Sequence, residues 1–228
     1  MVTDPRRAAN PEAARSRPRR AWGTLRAMTS APLPGLLVVL EGIDGGGKTT
    51  LRAALAARVR AAGREVVETK EPTDGPIGQA IRALARTGRA AVTPEDELQL
   101  FLDDRAEHVR AVVRPALARG AVVLQDRSYF STIAYQAERG LDPAMIRARC
   151  EAIAPRPDVL FVLDLPVDDA LARITRRGAA DDFEHRAVLE RLRAVFAGFT
   201  EATRLDATQP AEALADEAWR SLAPRVSR

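Results

Sequence analysis

The segment Gly42-Ile43-Asp44-Gly45-Gly46-Gly47-Lys48-Thr49-Thr50 constrains this 228-residue chain more than any other stretch. It satisfies G-x-x-x-x-G-K-[ST] at every fixed position. It also stands directly after an apolar run, Leu36–Glu41 (LLVVLE), and directly before a helical stretch, Lys48–Ala62. Glycines there allow positive φ, so successive backbone N–H groups turn inward on phosphate oxygens. The following helix adds the partial positive charge of its N-terminus. Lys48 then reaches the β and γ phosphates, and the Thr49 hydroxyl ligates Mg2+. The pattern predicts a site for ATP or GTP built from Gly42, Ile43, Asp44, Gly45, Gly46, Gly47, Lys48, Thr49 and Thr50. A glycine-rich turn with an accidental lysine is the bland alternative, and pattern and context both speak against it. The phosphoryl acceptor does not follow, because GTPases, motors and transporter ATPases carry the same loop.

From residue 35 onward, strand and helix patterns alternate. Strands are expected at Leu36–Glu41, Glu65–Thr69, Ala121–Gln125, Asp158–Leu163 and Thr203–Asp206. Helices are expected at 48–62, 76–86, 95–118, about 130–139, 143–153, 167–176, 184–199 and 211–222. Thr93 serves as N-cap of the long 95–118 helix, with Pro94 in its first turn. Apolar strands that do not alternate, separated by helices, imply a parallel sheet covered on both faces. The fold class is therefore α/β: a three-layer phosphate-loop NTPase fold, roughly five parallel strands with helices on both faces, and a small lid. Length suits one such domain, 35–228.

The net charge of +4 raises the question of nucleic acid. Residues 1–28 carry seven Arg and two acids, whereas the other 200 carry 28 basic and 29 acidic groups. The basicity thus belongs to a tail, which argues against nucleic acid as a partner of the domain. Residues 1–34 hold five prolines and no apolar periodicity, and are expected to be a disordered extension. Arg19-Arg20 resembles a twin-arginine signal, but no uninterrupted apolar stretch follows, which argues against export. The Arg content leaves a transit peptide as an alternative, and an overlong start with Met28 as initiator is the simpler explanation. No apolar run approaches the ~18 residues of a membrane helix. Cys150 alone makes no intrachain disulfide, so a cytoplasmic setting is expected. Cys150 itself reads as a small buried hydrophobe.

Three further segments place charged and aromatic groups at or beside strand ends, where open α/β sheets bind ligands. They are Thr69-Lys70-Glu71-Pro72-Thr73-Asp74-Gly75-Pro76-Ile77-Gly78, Phe101-Leu102-Asp103-Asp104-Arg105-Ala106-Glu107-His108, and Asp126-Arg127-Ser128 through Tyr135-Gln136. Arg suits a phosphate because its planar fork donates bidentately, and Phe offers a base a flat face. Bland readings stand beside these. Phe101 and Tyr135 suit a core, Arg105 suits a surface pair with Asp104, and Asp126-Arg127 suits a strand-end ion pair. His108 reads as a capped or partly exposed helical His.

With these motifs the chain resembles the thymidylate kinase family over roughly residues 35–225. The likeness rests on EGIDGGGKTT, EPTDGPIG, FLDDRAEH, DRSYFSTIAYQ, PDVLFVLDLP and the late DFE and LDA segments, all in order. It implies ATP as donor, dTMP as acceptor, Mg2+, and a homodimer, for which the 95–118 helix offers apolar faces. It implies that Phe101 stacks on thymine, that Arg105 reaches the base or acceptor phosphate, and that Arg127 holds that phosphate. It further implies that Asp126 lies near Mg2+, that Tyr135 lies against the sugar, that Asp44 lies between donor and acceptor, and that Glu71 lies near metal or acceptor. Arg173, Arg176 and Arg177 share one helix face by their spacing, and the family's lid, here about 173–185, closes over ATP. Since residues 43–46 hold no Arg, the catalytic arginine is expected from that lid, as Arg173 or Arg177; a solvated basic face is the alternative.

The chain departs from the family pattern at Ser128, where Tyr or His is usual, at Lys70 for Arg, and at Asp103. Ser128 removes packing near the acceptor and puts strictness for thymine in doubt. Two other readings remain. One is a kinase for another deoxynucleotide or a nucleoside, although a neutral hydroxyl needs a general base and two arginines suggest an anionic acceptor. The other is a nucleic-acid-linked NTPase that uses the basic tail.

Overall fold

Six buried residues in a row, Leu36–Glu41, form β1, the central strand of a five-stranded parallel sheet. The others are β2 (Val66–Lys70), β3 (Val122–Asp126), β4 (Val159–Asp164) and β5 (Thr203–Asp206), ordered β2-β3-β1-β4-β5. The computed structural model describes residues 33–88, 92–176 and 183–227. The extension expected at 1–34 lies outside them as far as residue 32, and so do residues 177–182 of the expected lid.

The helices are α1 (Lys48–Ala61), α2 (Pro76–Thr87), α3 (Pro94–His108), α4 (Arg114–Ala118), α5 (Tyr129–Ala137), α6 (Pro143–Glu151), α7 (Val167–Thr175), α8 (Phe183–Ala197) and α9 (Ala211–Val226). Helix α1 packs on α9, while α2 with α3, α5 with α6 and α5 with α8 make a second set of packings. The core is aliphatic: Val38, Leu40, Leu55, Val122, Val123 and Leu124 are all fully buried.

Two strands keep the expected bounds and three move by one residue, but one element differs in kind. The single helix expected over 95–118 is broken: α3 ends at His108, a π turn runs over Val109–Val113, and α4 follows. Pro115 has no N–H for the carbonyl four residues back, and its ring crowds that carbonyl. A widened turn relieves both conflicts. The start of α3 is as expected: Thr93 accepts the Asp96 N–H at 3.1 Å, and Glu95, Asp96 and Glu97 complement the dipole.

Strand order positions the site. The chain builds β2 and β3 on one side of β1, then crosses to β4 and β5 on the other. The crevice beyond the carboxyl ends at such a reversal is where this architecture binds ligands. Register aligns Leu40 of β1, Asp126 of β3 and Lys70 of β2. The residues that follow, the 42–49 loop, Arg127 and Glu71, therefore emerge side by side.

Candidate active site

The loop after β1 needs its glycines. Gly42 has φ of 131° and Gly45 has φ of 83°. A Cβ on Gly42 would lie 2.6 Å from the Leu163 carbonyl oxygen, and one on Gly45 would lie 2.9 Å from that of Ala170. The loop is thus packed against β4 and α7 with no room for a side chain, and L-residues disfavour its backbone. Ile43 buries its side chain in the core and contributes its backbone. Lys48 donates to the carbonyls of Gly42 (2.9 Å) and Ile43 (2.8 Å). Burial, followed by the nearby Arg127 charge, brings its ammonium down to about 8. An ammonium so placed gains from an arriving anion, because a phosphate restores the stabilisation that desolvation removes.

Asp44, Gly45, Gly47, Lys48, Thr49, Thr50, Asp126 and Arg127 line a crevice of about 160 Å³. Within it Thr49 donates its hydroxyl to Asp126 Oδ2 at 2.8 Å. Among the described residues no group of three or more His, Cys, Asp or Glu gathers as a metal cage. A hydroxyl beside a carboxylate is nonetheless the all-oxygen donor pair that suits Mg2+, which takes its remaining ligands from water and phosphate. Arg173, in the last turn of α7, lies over the loop and donates to Gly45 O (3.2 Å) and Ala207 O (3.0 Å). Arg176 turns back on Ala172 O, and Arg177 lies outside the described residues.

A second crevice of about 340 Å³ opens beside the first. Asp44, Glu71, Phe101, Arg105, Arg127 and Tyr135 all line it, so the structure brings together every residue expected around the acceptor. Sequence reasoning missed Ile81, Arg82 and Ala85 of α2, which close one side. Their spacing of one helical turn, opposite Phe101, was the available signal. Asp44 and Arg127 belong to both crevices.

Arg127 is the pivot of the arrangement. It is the one non-glycine with positive φ (66°) among the described residues, a conformation that costs an L-residue energy. Its guanidinium donates to Asp44 Oδ1 (2.6 Å), Ser131 Oγ (2.8 Å) and Gly42 O (3.3 Å), and it sits 5.6 Å from the Tyr135 ring centre. Burial opposes its charge, but Tyr135, Asp44, Glu41 and Asp126 together leave its pKa above the ordinary value. Burial pushes the Tyr135 hydroxyl up to about 12, so it is a neutral donor; it reaches toward Asp44 Oδ2 at 3.5 Å.

Glu41, the last residue of β1, was not expected to take part. It is fully buried, and its carboxylate accepts from Ser128 N (2.7 Å), Ser131 N (3.1 Å) and Ser131 Oγ (2.6 Å). It caps α5 from another element and fixes the serine that receives Arg127. Burial raises its pKa, which Arg127 and these hydrogen bonds partly offset. An acid closing the apolar run LLVVL was the signal.

The floor of the acceptor crevice corrects the surface readings of Arg105 and His108. Both are buried, at 1% and 3% exposure. Asp104 bonds Thr73 instead of Arg105. Arg105 donates to Glu71 Oε2 through Nε (3.0 Å) and Nη2 (2.7 Å), to Thr132 Oγ1 (2.9 Å) and to Cys150 Sγ (3.2 Å). Cys150 is therefore more than a hydrophobe. Burial pushes the Glu71 carboxyl up, but Arg105 and the His108 hydrogen bond outweigh it and hold the group below the ordinary range.

Two adjoining crevices that share an acid and an arginine, one built on a phosphate loop and one with an aromatic face, can hold two phosphate-bearing molecules end to end. Comparison with known proteins agrees. The thymidylate kinase family model matches residues 40–218. A thymidylate kinase of Xanthomonas campestris pv. campestris is 51% identical over 164 residues, 72% of this chain and 71% of its own length. One of Akkermansia muciniphila is 47% identical over 193 residues, 84% of this chain and 93% of its own. One of Xanthomonas oryzae pv. oryzae is 50% identical over 165 residues, 72% of this chain and 71% of its own.

Proposed function

We infer the division of labour in the two crevices from one premise: the chain belongs to the thymidylate kinase family. It is a phosphotransferase that converts dTMP to dTDP with ATP as donor. The triphosphate lies in the loop crevice, with its α and β phosphates on the backbone N–H groups and Lys48 on the β and γ oxygens. The acceptor lies in the neighbouring crevice, thymine against Phe101 and its phosphate on Arg127. Tyr135 and Asp44 face the sugar, and Arg105 with Glu71 forms the floor under the base.

No nucleophilic side chain is needed, because an oxygen of the acceptor phosphate attacks the γ-phosphorus in line. Arg127 brings that anion to the edge shared by the crevices. Lys48 and an arginine over the loop offset charge on the moving group. Arg173 is our choice for that arginine, given its seat on Gly45; Arg177 is the second candidate. Thr49 and Asp126 would hold Mg2+, which when bound would add to the neutralisation of the phosphate oxygens. The segment around 173–185 acts as the lid that excludes water, which would otherwise compete as acceptor.

The observation that carries this reading is the sharing of Asp44 and Arg127 between the two crevices. We extend the proposal to a cytoplasmic enzyme that acts on free nucleotides rather than nucleic acid, and to a homodimer through apolar faces of the 95–118 stretch. No helix among the described residues is long and apolar enough to cross a membrane. ADP release measured against dTMP, dUMP, dCMP, dGMP and UMP tests the acceptor. Preference for dTMP is expected, and a faster rate with another monophosphate overturns it. Salt-dependent binding to DNA that vanishes on removing residues 1–28 would favour the nucleic-acid reading instead.

A further inference from the structure

Helix α3 presents Phe101, Arg105 and His108 at spacings of four and three, one above another on a single face. The first two line the acceptor crevice. His108, in the last turn before the π segment, does not. Its ring instead spans two residues of the neighbouring chain segment. Nδ1 lies 2.9 Å from Glu71 Oε1, and Nε2 lies 2.6 Å from Thr69 Oγ1. Thr69 is in β2 and Glu71 follows it directly, so they are two residues apart and face the same way.

The hydrogen-bond roles follow from the partners. Glu71 is held in its ionised form and only accepts. Nδ1 must therefore carry the proton that points at it. In the neutral ring Nε2 then accepts from the Thr69 hydroxyl. Both Glu71 oxygens are thereby fixed, Oε2 by Arg105 and Oε1 by His108. Glu71 in turn orients Arg105, whose Nη2 also reaches Thr132 on α5. Phe101 and Arg105 ride on the helix that His108 ties to β2.

We propose that His108 is a positioning residue for the acceptor: it locks Glu71, and through it Arg105 and the register of α3, so that the floor under the base is set before the nucleotide arrives. The inference rests on the reading that the acceptor occupies this crevice. A preformed floor lowers the ordering cost of binding. Loss of His108 thus falls on acceptor affinity more than on the chemical step or on ATP. A residue that merely filled the core would give a different result, because its loss would weaken both substrates together or only lower thermal stability.

Three full-length variants test this: His108→Asn, His108→Gln and His108→Phe. Asn can present an amide N–H near the Nδ1 position, and Gln near the Nε2 position. Steady-state kinetics with each substrate varied, calorimetry with dTMP, and melting curves are read together. For His108→Phe, KM for dTMP is expected to rise about tenfold, the size of losing one hydrogen bond to a charged group. KM for ATP should hold within about twofold and kcat should fall less than KM rises. His108→Asn should recover most of the dTMP affinity, and His108→Gln less. Should Phe fail to fold, the difference between Asn and Gln decides the matter alone. Unchanged dTMP affinity in a folded Phe variant, equal rises in both KM values, or equal behaviour of Asn and Gln overturns the proposal. Wild-type protein that binds ATP but no dTMP overturns the acceptor reading itself, a separate outcome visible in the first titration.

Discussion

Replacing Arg127 by Gly separates what this residue does for the fold from what it does for transfer. At φ of 66° the backbone is strained for Arg, and Gly relieves about 1 kcal/mol there. Against this, the substitution removes an ion pair to Asp44, whose side chain is 57% exposed; such a pair contributes roughly 0.2–1 kcal/mol. It also removes the hydrogen bonds to Ser131 and to the Gly42 carbonyl, worth about 1 kcal/mol each. The losses exceed the relief by about 1–2 kcal/mol, or roughly 2–8 °C in Tm for a chain of this size. Transfer should collapse, because the bidentate cation that holds the acceptor anion at the shared edge is gone. A loss of about 4 kcal/mol in transition-state stabilisation is about a thousandfold in kcat/KM. Differential scanning calorimetry and coupled ADP release with dTMP read the two effects. An enzyme about a thousandfold slower that melts within about 8 °C of wild type is expected. Activity within about tenfold of wild type, or a melting point lower by well over about 10 °C, would return Arg127 to the role of a strand-end ion pair.

The other predictions concern separate parts of the site. Because Lys48 titrates near 8 in the folded chain, a bound triphosphate raises its pKa, and ATP binding should take up protons between that value and the new one. Calorimetry at pH 8 in buffers of different ionisation enthalpy measures this; net proton release would contradict it. Phe101→Ala should raise KM for dTMP by about tenfold or more with KM for ATP unchanged, since base–aromatic stacking contributes roughly 1–3 kcal/mol. Equal effects on both substrates would make Phe101 a packing residue. Glu41→Leu strands the buried N–H groups of Ser128 and Ser131. It should cost about 3 kcal/mol, seen as a Tm lower by about 6–12 °C, and a Tm at or above wild type would show that the cap contributes nothing.

The phosphate loop and the parallel sheet were legible in the sequence because their signals are local. Glycine spacing, an apolar run without alternation and a helical period each sit within about fifteen residues. The six acceptor-side residues were named by resemblance, and strand register explains why they converge: Leu40, Asp126 and Lys70 lie level, so whatever follows them shares one edge. What could not be read was burial among charged groups. The alternative reading of Arg105 as a surface arginine rested on Asp104 next to it, but its carboxylate partner, Glu71, is 34 residues away. His108 met Glu71 and Thr69 across a similar gap. Helical period says which residues share a face, and only tertiary packing says what that face meets. The π turn escaped notice for a related reason. The helix expected over 95–118 runs through Pro115, which the chain absorbs by widening the turn before it.

Every residue role above serves one event, transfer of the γ-phosphoryl group to dTMP. Incubation of the full chain with dTMP, Mg2+ and ATP labelled at the γ phosphate, with products separated by chromatography, follows the labelled group directly. Label is expected in dTDP, equal in amount to the ADP formed, and none for a folded Lys48→Ala variant. Label released as inorganic phosphate with no dTDP, or dTDP formed as fast by Lys48→Ala as by wild type, would contradict it.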